Sequence, residues 1–183
     1  HLDYLLLTMK ELGRLPAKPA CIKSIVTTDL QSRIAAKYGA TMFECLTGFK
    51  WIAELMRRFE SGGAGADSRY TFVYGTEESY GHLVENEVRD KDGISAAAVT
   101  AEAALYWRSK GKSLLERLDE LYLEHGFFEE RGISKYFEGP TGMDTMRGIM
   151  DAYRARQPGS LGGIRVTRIR DVKAGKADKP CEQ

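Results

Sequence analysis

The sequence has 183 residues, 43% of them hydrophobic, enough for one medium-sized domain with a full core and a short appendage. Charged residues make up 29% and nearly cancel, at a net charge of +1, which gives no reason to expect nucleic acid or an anionic membrane as the main partner. No apolar run approaches the roughly 20 residues of a membrane helix. The opening "HLDYLLLTMKELGRL" scatters its charges and lacks the small-residue cleavage site of a signal peptide. Cys21, Cys45 and Cys181 are widely spaced and odd in number, fitting neither a disulfide framework nor zinc-ligand spacing, so a reducing, cytoplasmic setting is expected.

In chain order, Leu2, Leu5, Leu6, Met9 and Leu12 fall on one helical face with no N-cap residue before them, although Asp3 could cap a shortened helix. That start, together with the absence of an initial Met, reads as the end of a helix cut from a longer protein. "ACIKSIVTT" has the β-branched content of a buried strand. Thr27, Thr28 and Asp29 offer caps for a helix carrying Leu30, Ile34 and Tyr38 and ending at Gly39. "ATMFECLT" reads as a second strand. Gly48 then opens a helix with Phe49, Ile52, Leu55, Met56 and Phe59 apolar. "ESGGAGADSR" is a linker without P-loop spacing.

"YTFVYG" is a third strand. Residues 88–111 form a long alanine-rich helical run capped by Asp92 and stopped by Gly111. Ser113 and Glu116 form a capping box for a helix with Leu114, Leu118 and Leu121 on its apolar stripe. "FFEERGISKYFEG" reads as a bent or edge strand, "GMDTMRGIMDAYRARQP" as a final helix, and the remainder as one short strand with a frayed basic tail. Trp51 and Trp107 read as core. The order β-α-β-α-β-α-α-β implies an α/β fold, a three-layer α/β/α sandwich. Its sheet would have about four strands, mostly parallel, with one late antiparallel edge strand.

In such sheets ligands bind beyond the carboxyl ends of the strands, where "LTGFK" and "GTEESYG" both fall. Adjacent Glu77 and Glu78 at a bend repel one another, so a purely structural turn gains nothing from them.

The ordered set "CLTGFKWI", "GTEESYG" and "VRDKDGISAA" resembles the third domain of the α-D-phosphohexomutases, the phosphoglucomutases and phosphomannomutases, over about Cys21 to Pro158. The Glu-Glu-Ser form is closer to the phosphoglucomutase branch. The resemblance implies an isomerase that interconverts glucose 1-phosphate and glucose 6-phosphate through a 1,6-bisphosphate and an enzyme phosphoserine. It implies Mg²⁺ held outside this stretch and three sister domains (first, second and fourth) as partners. Residues 1–20 would be a helix end and linker from the preceding domain, 21–158 the sugar-binding domain, and 159–183 the link towards the fourth.

By the family pattern Glu77 and Ser79 hold two hexose hydroxyls, O3 and O4. Gly75 and Gly81 let the backbone turn and the sugar approach. Thr47 and Gly48 line the same cleft, and Lys91 contacts substrate phosphate or moves a proton. Glu78, Lys50, His82 and Arg89 are weaker candidates, with Glu78 pointing away and His82 equally readable as an exposed loop histidine. No metal ligand is expected here, and the stretch alone should bind no cofactor and be inactive. The competing expectation is a stand-alone α/β sugar-phosphate-binding or interaction module without catalysis.

Overall fold

A computed structural model describes residues 1–61, 69–132 and 135–171. The chain divides into two compact units, His1–Glu130 and Arg131–Gln183.

The first unit contains α1 (Leu2–Glu11), β1 (Pro19–Ser24), α2 (Leu30–Lys37), β2 (Thr41–Cys45), α3 (Phe49–Glu60), β3 (Thr71–Glu77), β4 (Gly81–Leu83), α4 (Gly93–Ser109) and α5 (Leu114–His125). Its sheet runs β2-β1-β3-β4, with β1 parallel to both neighbours and β4 antiparallel to β3. Two apolar clusters fill the two faces. On one, Leu2, Leu6, Leu30, Ile34, Tyr38 and Leu121 meet Cys21, Met42, Val73 and Tyr74. On the other, Phe49, Ile52, Leu55, Met56 and Phe59 of α3 meet Ala20, Ile22, Phe43, Phe72 and Leu83. The three-layer α/β/α expectation therefore holds.

A bulge in β3 sets the geometry of the rim. Ala20 pairs with Phe72 but Cys21 pairs with Tyr74, leaving Val73 extra. Side chains alternate faces along a strand, so one extra residue flips every later position. Val73 and Tyr74 accordingly share one cluster while Phe72 lies in the other. Gly75 and Glu77 then emerge on the α3 side, opposite Leu83 and Gly81 of β4.

Four expectations change. The antiparallel edge strand is β4, directly after the acidic bend, and not the stretch 127–139. That stretch is irregular among its described residues, with 133–134 outside them. Its alternation is broken by Glu129, Glu130 and Arg131 beside Gly132, which gives no continuous apolar face to bury. The amino-terminal helix, expected as the tail of a preceding domain, packs inside this unit. Asp3 is a buried partner rather than a cap: Arg117 donates to both its oxygens at 2.9 Å, and Tyr38 Oη donates to Oδ1 at 3.0 Å. Trp107 is core, but Trp51 is 39% exposed. Other local expectations hold. Asp92 accepts from the amides of Ile94 and Ser95, and the Ser113–Glu116 capping box is formed on both sides.

The second unit contains α6 (Gly142–Ala155) and a ribbon of β5 (Ser160–Leu161) with β6 (Ile164–Arg165). The ribbon turns on Gly162 and Gly163, at φ of 55° and 80°, a conformation only glycine adopts without strain. Arg154 closes the unit by an ion pair to Asp171 at 2.8 Å. The linker stretch 62–68 and the tail 172–183 lie outside the described residues.

Candidate functional site

The strand order changes direction at β1: the chain steps to β2 on one side, then crosses to β3 on the other. The crevice beyond the carboxyl ends at such a point is where this architecture takes ligands. Ser24 ends β1, Cys45 ends β2 and Glu77 ends β3.

Glu77 is 6% exposed, and its Oε1 accepts a hydrogen bond from the backbone N–H of Gly48, the residue that caps α3. An anion suits that place because the helix amino end carries partial positive charge. Gly48 holds φ at 120°, which a residue with a Cβ rarely adopts. The pair joins the "LTGFK" loop to the acidic bend. It also commits one oxygen of Glu77 to the protein's own backbone, leaving the second oxygen and spare lone pairs for a ligand.

Glu78 turns the other way. Its Oε2 accepts from Ser24 Oγ at 2.9 Å and from Thr27 Oγ1 at 3.4 Å, while the two hydroxyls lie 2.8 Å apart. The second carboxylate thus fastens the bend to the end of β1, across the switch point. The two acids diverge to separate partners, which relieves their repulsion.

Between them the hairpin loop is three residues, Glu78 to Tyr80, closed by the Glu77–Gly81 pairing. Ser79 and Tyr80 are exposed. Tyr80 sits at φ 61°. This geometry, a left-handed residue ending a three-residue loop, joins tight antiparallel strands and is ordinarily given to glycine.

Lys91 reaches the same rim. Its Nζ lies 5.6 Å from the centroid of the Phe49 ring and 3.1 Å from Asp90 Oδ1. Hydrogen bonds from the Lys91 amide, then from its side chain, hold the Asp90 carboxyl below its usual range. The backbone N–H of Asp92 donates to His82 O at 2.9 Å, which ties this loop to β4. Thr47 is exposed beside Gly48. Glu77, Gly48 and Lys91 therefore gather around the amino end of α3, with Thr47 and Ser79 adjacent in sequence.

Other candidates are placed differently. A Cβ on Gly75 would lie 2.9 Å from Ile52 Cγ2, and one on Gly81 would lie 2.8 Å from Phe49 Cε2. Neither glycine has positive φ. The close approach they permit is that of α3 to the sheet. Arg89 is drawn to the far end of α3, where both Glu60 oxygens accept from it at 2.7 and 2.8 Å. Lys50 lies over the Trp51 ring at 5.1 Å. His82 is not a loop histidine but part of β4, half-buried on the face opposite α3. Tyr74 Oη lies 2.6 Å from its Nδ1, and burial, then the chain's terminal amino charge, lowers its pKa.

The sequence reading marked Thr27 only as a helix cap and left Ser24 unmarked, although the switch-point rule points at the end of β1. It also passed over buried Lys23, whose Nζ donates to Thr27 O, Asp29 Oδ1 and Glu44 Oε1, each at 2.9 Å. Cys45, beside them, has its thiol pushed up to about 12 by burial and then by Glu77 and Glu44. Among the described residues no group of three or more His, Cys, Asp or Glu gathers as a metal cage. No helix among them is long and apolar enough to cross a membrane.

A family model described as phosphoglucomutase/phosphomannomutase, alpha/beta/alpha domain III, matches residues 2–125. A phosphoglucomutase of Staphylococcus haemolyticus is 32% identical over 166 residues, covering 91% of this chain and 29% of that protein. One of Staphylococcus epidermidis is 32% identical over 154 residues, covering 84% and 27%. The chain thus spans less than a third of the length of these curated relatives. A solved structure of a putative phosphomannomutase from Thermus thermophilus is similar at a TM-score of 0.47 and 22% identity, over 67% of this chain and 25% of that one.

Proposed function

The chain belongs to the phosphoglucomutase/phosphomannomutase family through that family's alpha/beta/alpha domain III, and from this premise we propose that it is the sugar-recognition domain of a phosphoglucomutase-type isomerase. The parent would interconvert glucose 1-phosphate and glucose 6-phosphate by way of a 1,6-bisphosphate and an enzyme phosphoserine. The serine, the Mg²⁺ site and the site for the substrate phosphate would come from the first, second and fourth domains respectively. The recognition domain is taken as the compact unit His1–Glu130, with the second unit leading towards the fourth domain in a cytoplasmic enzyme.

The observation that carries this reading is the gathering of Glu77, Gly48 and Lys91 at one helix end. An ionised carboxylate accepts hydrogen bonds from neighbouring ring hydroxyls, each contributing about 1.5–3 kcal/mol when buried. Glu77, through the oxygen not held by Gly48, and exposed Ser79 would take O3 and O4. Exchanging C1 with C6 roughly exchanges the ends of that pair, so one bend serves both orientations of the bisphosphate. Lys91 supplies positive charge for phosphate at the rim. The same grip reads C2 poorly, so preference for glucose over mannose would arise partly elsewhere.

The test is titration of this chain with glucose 1-phosphate, followed by amide and side-chain NMR. Shifts confined to Glu77, Ser79, Thr47, Gly48 and Lys91, lost in Ser79→Ala, are expected. Shifts that avoid this set, or their absence at about 100 mM ligand, a concentration that would reveal even very weak binding, would refute it. The chain alone should turn over no hexose phosphate.

A further inference from the structure

Tyr80 is costly where it stands. Among the described residues it is the one non-glycine with positive φ, at 61°, and it is 94% exposed. A glycine or asparagine would hold that backbone with less strain. An aromatic ring gains nothing from full exposure to water. Strained residues persist where their surroundings fix them, and they cluster at ligand sites. Here the surroundings are rigid. Glu77 is bonded to Gly48, Glu78 to Ser24 and Thr27, and Gly81 is paired back to Glu77.

The groups gathered at this rim are polar: Glu77 and Lys91, with Ser79 and Thr47 adjacent in sequence. A hexose has hydroxyl edges, which such groups can hold, and an apolar C–H face, which they cannot. The other exposed aromatic near the rim, Trp51, has its ring engaged by Lys50 and sits in a helix without strain.

We propose that Tyr80 is the platform for the C–H face of the hexose, a substrate-positioning residue of the acidic bend. This rests on the sugar-recognition reading given above. A flat aromatic face offers dispersion and C–H contacts that no other exposed residue of the three-residue loop can supply.

The experiment uses this chain, Tyr80→Phe, Tyr80→Asn and Tyr80→Gly, each titrated with glucose 1-phosphate up to about 100 mM. Saturation transfer from selectively labelled tyrosine rings to the sugar C–H protons is read alongside. Tyr80→Phe should bind within about 2-fold of the parent chain, and Tyr80→Asn and Tyr80→Gly about 5- to 10-fold more weakly. Saturation transfer should vanish in both ring-less variants, while their urea midpoints stay at or above that of the parent chain. Unchanged affinity in the ring-less variants, with shifts at Ser79 retained, would overturn the inference and leave the sugar-recognition reading standing. A lowered urea midpoint in Tyr80→Asn would also overturn it, by making the ring a structural element. No shift at Glu77, Ser79 or Lys91 in the unsubstituted chain would bring down the sugar-recognition reading itself.

Discussion

Glu77 separates a residue that only binds ligand from one that also holds the fold. Replacing it with Ala removes a buried carboxylate that accepts from the Gly48 amide at the amino end of α3. A hydrogen bond to a charged group contributes about 1.5–3 kcal/mol, and an amide left unpaired costs about 1–3 kcal/mol, two descriptions of one loss that do not add. The expected destabilisation of Glu77→Ala is therefore about 2–3 kcal/mol. With an m-value of about 1.5–2 kcal/mol/M for a domain of this size, the urea midpoint should fall by about 1–2 M. Glu77→Gln keeps an acceptor oxygen but not its charge, and should lose about half as much. Ser79→Ala, at an exposed position, should stay within about 0.5 kcal/mol of the starting protein. The assay is urea unfolding followed by far-ultraviolet circular dichroism, with no sugar present. A Glu77→Ala midpoint indistinguishable from that of the unsubstituted chain would refute the capping role.

Gly75→Ala would place a methyl 2.9 Å from Ile52 Cγ2, an overpacking that should cost about 1–3 kcal/mol. Ile52→Leu, which removes that branch, should recover part of it in the double variant. Strict additivity of the two in thermal unfolding would place the strain elsewhere. Arg117→Met would leave the Asp3 carboxylate buried without its cationic partner, held by Tyr38 Oη, and should cost about 3–5 kcal/mol, whereas Asp3→Asn with Arg117→Met should cost less. A double variant as unstable as the single one in urea would contradict this. His82 has a lowered folded-state pKa, so below about pH 6.5 the unfolded chain takes up a proton more readily than the folded one. Its contribution to stability is present above that pH and is lost as pH falls towards the folded pKa. His82→Gln should flatten the stability profile below pH 6.5, as read by urea midpoints in buffers down to pH 5.

Elements whose causes are local were legible in the sequence: the three parallel strands from their β-branched and aromatic residues, Asp92 and the Ser113–Glu116 box from capping chemistry, and α3 from its apolar spacing. The acidic bend was legible because its residue types contradict ordinary turn chemistry. What escaped depends on partners distant in the chain. Asp3 looks like a cap until Arg117, 114 positions later, arrives beside it. Gly75 and Gly81 look like turn residues until Ile52 and Phe49 fill the space above them. β4 is three residues long and carries too little pattern to register. The β5–β6 ribbon was read as one short strand, although Gly162–Gly163 between Leu161 and Ile164 is a hairpin signal.

The supernumerary Val73 makes the direction of the acid a matter of counting. The tally between Phe72 and Glu77 has to be kept for the acid to reach the α3 layer. One residue added or removed there would deliver the carboxylate to the wrong layer with the motif's spelling intact.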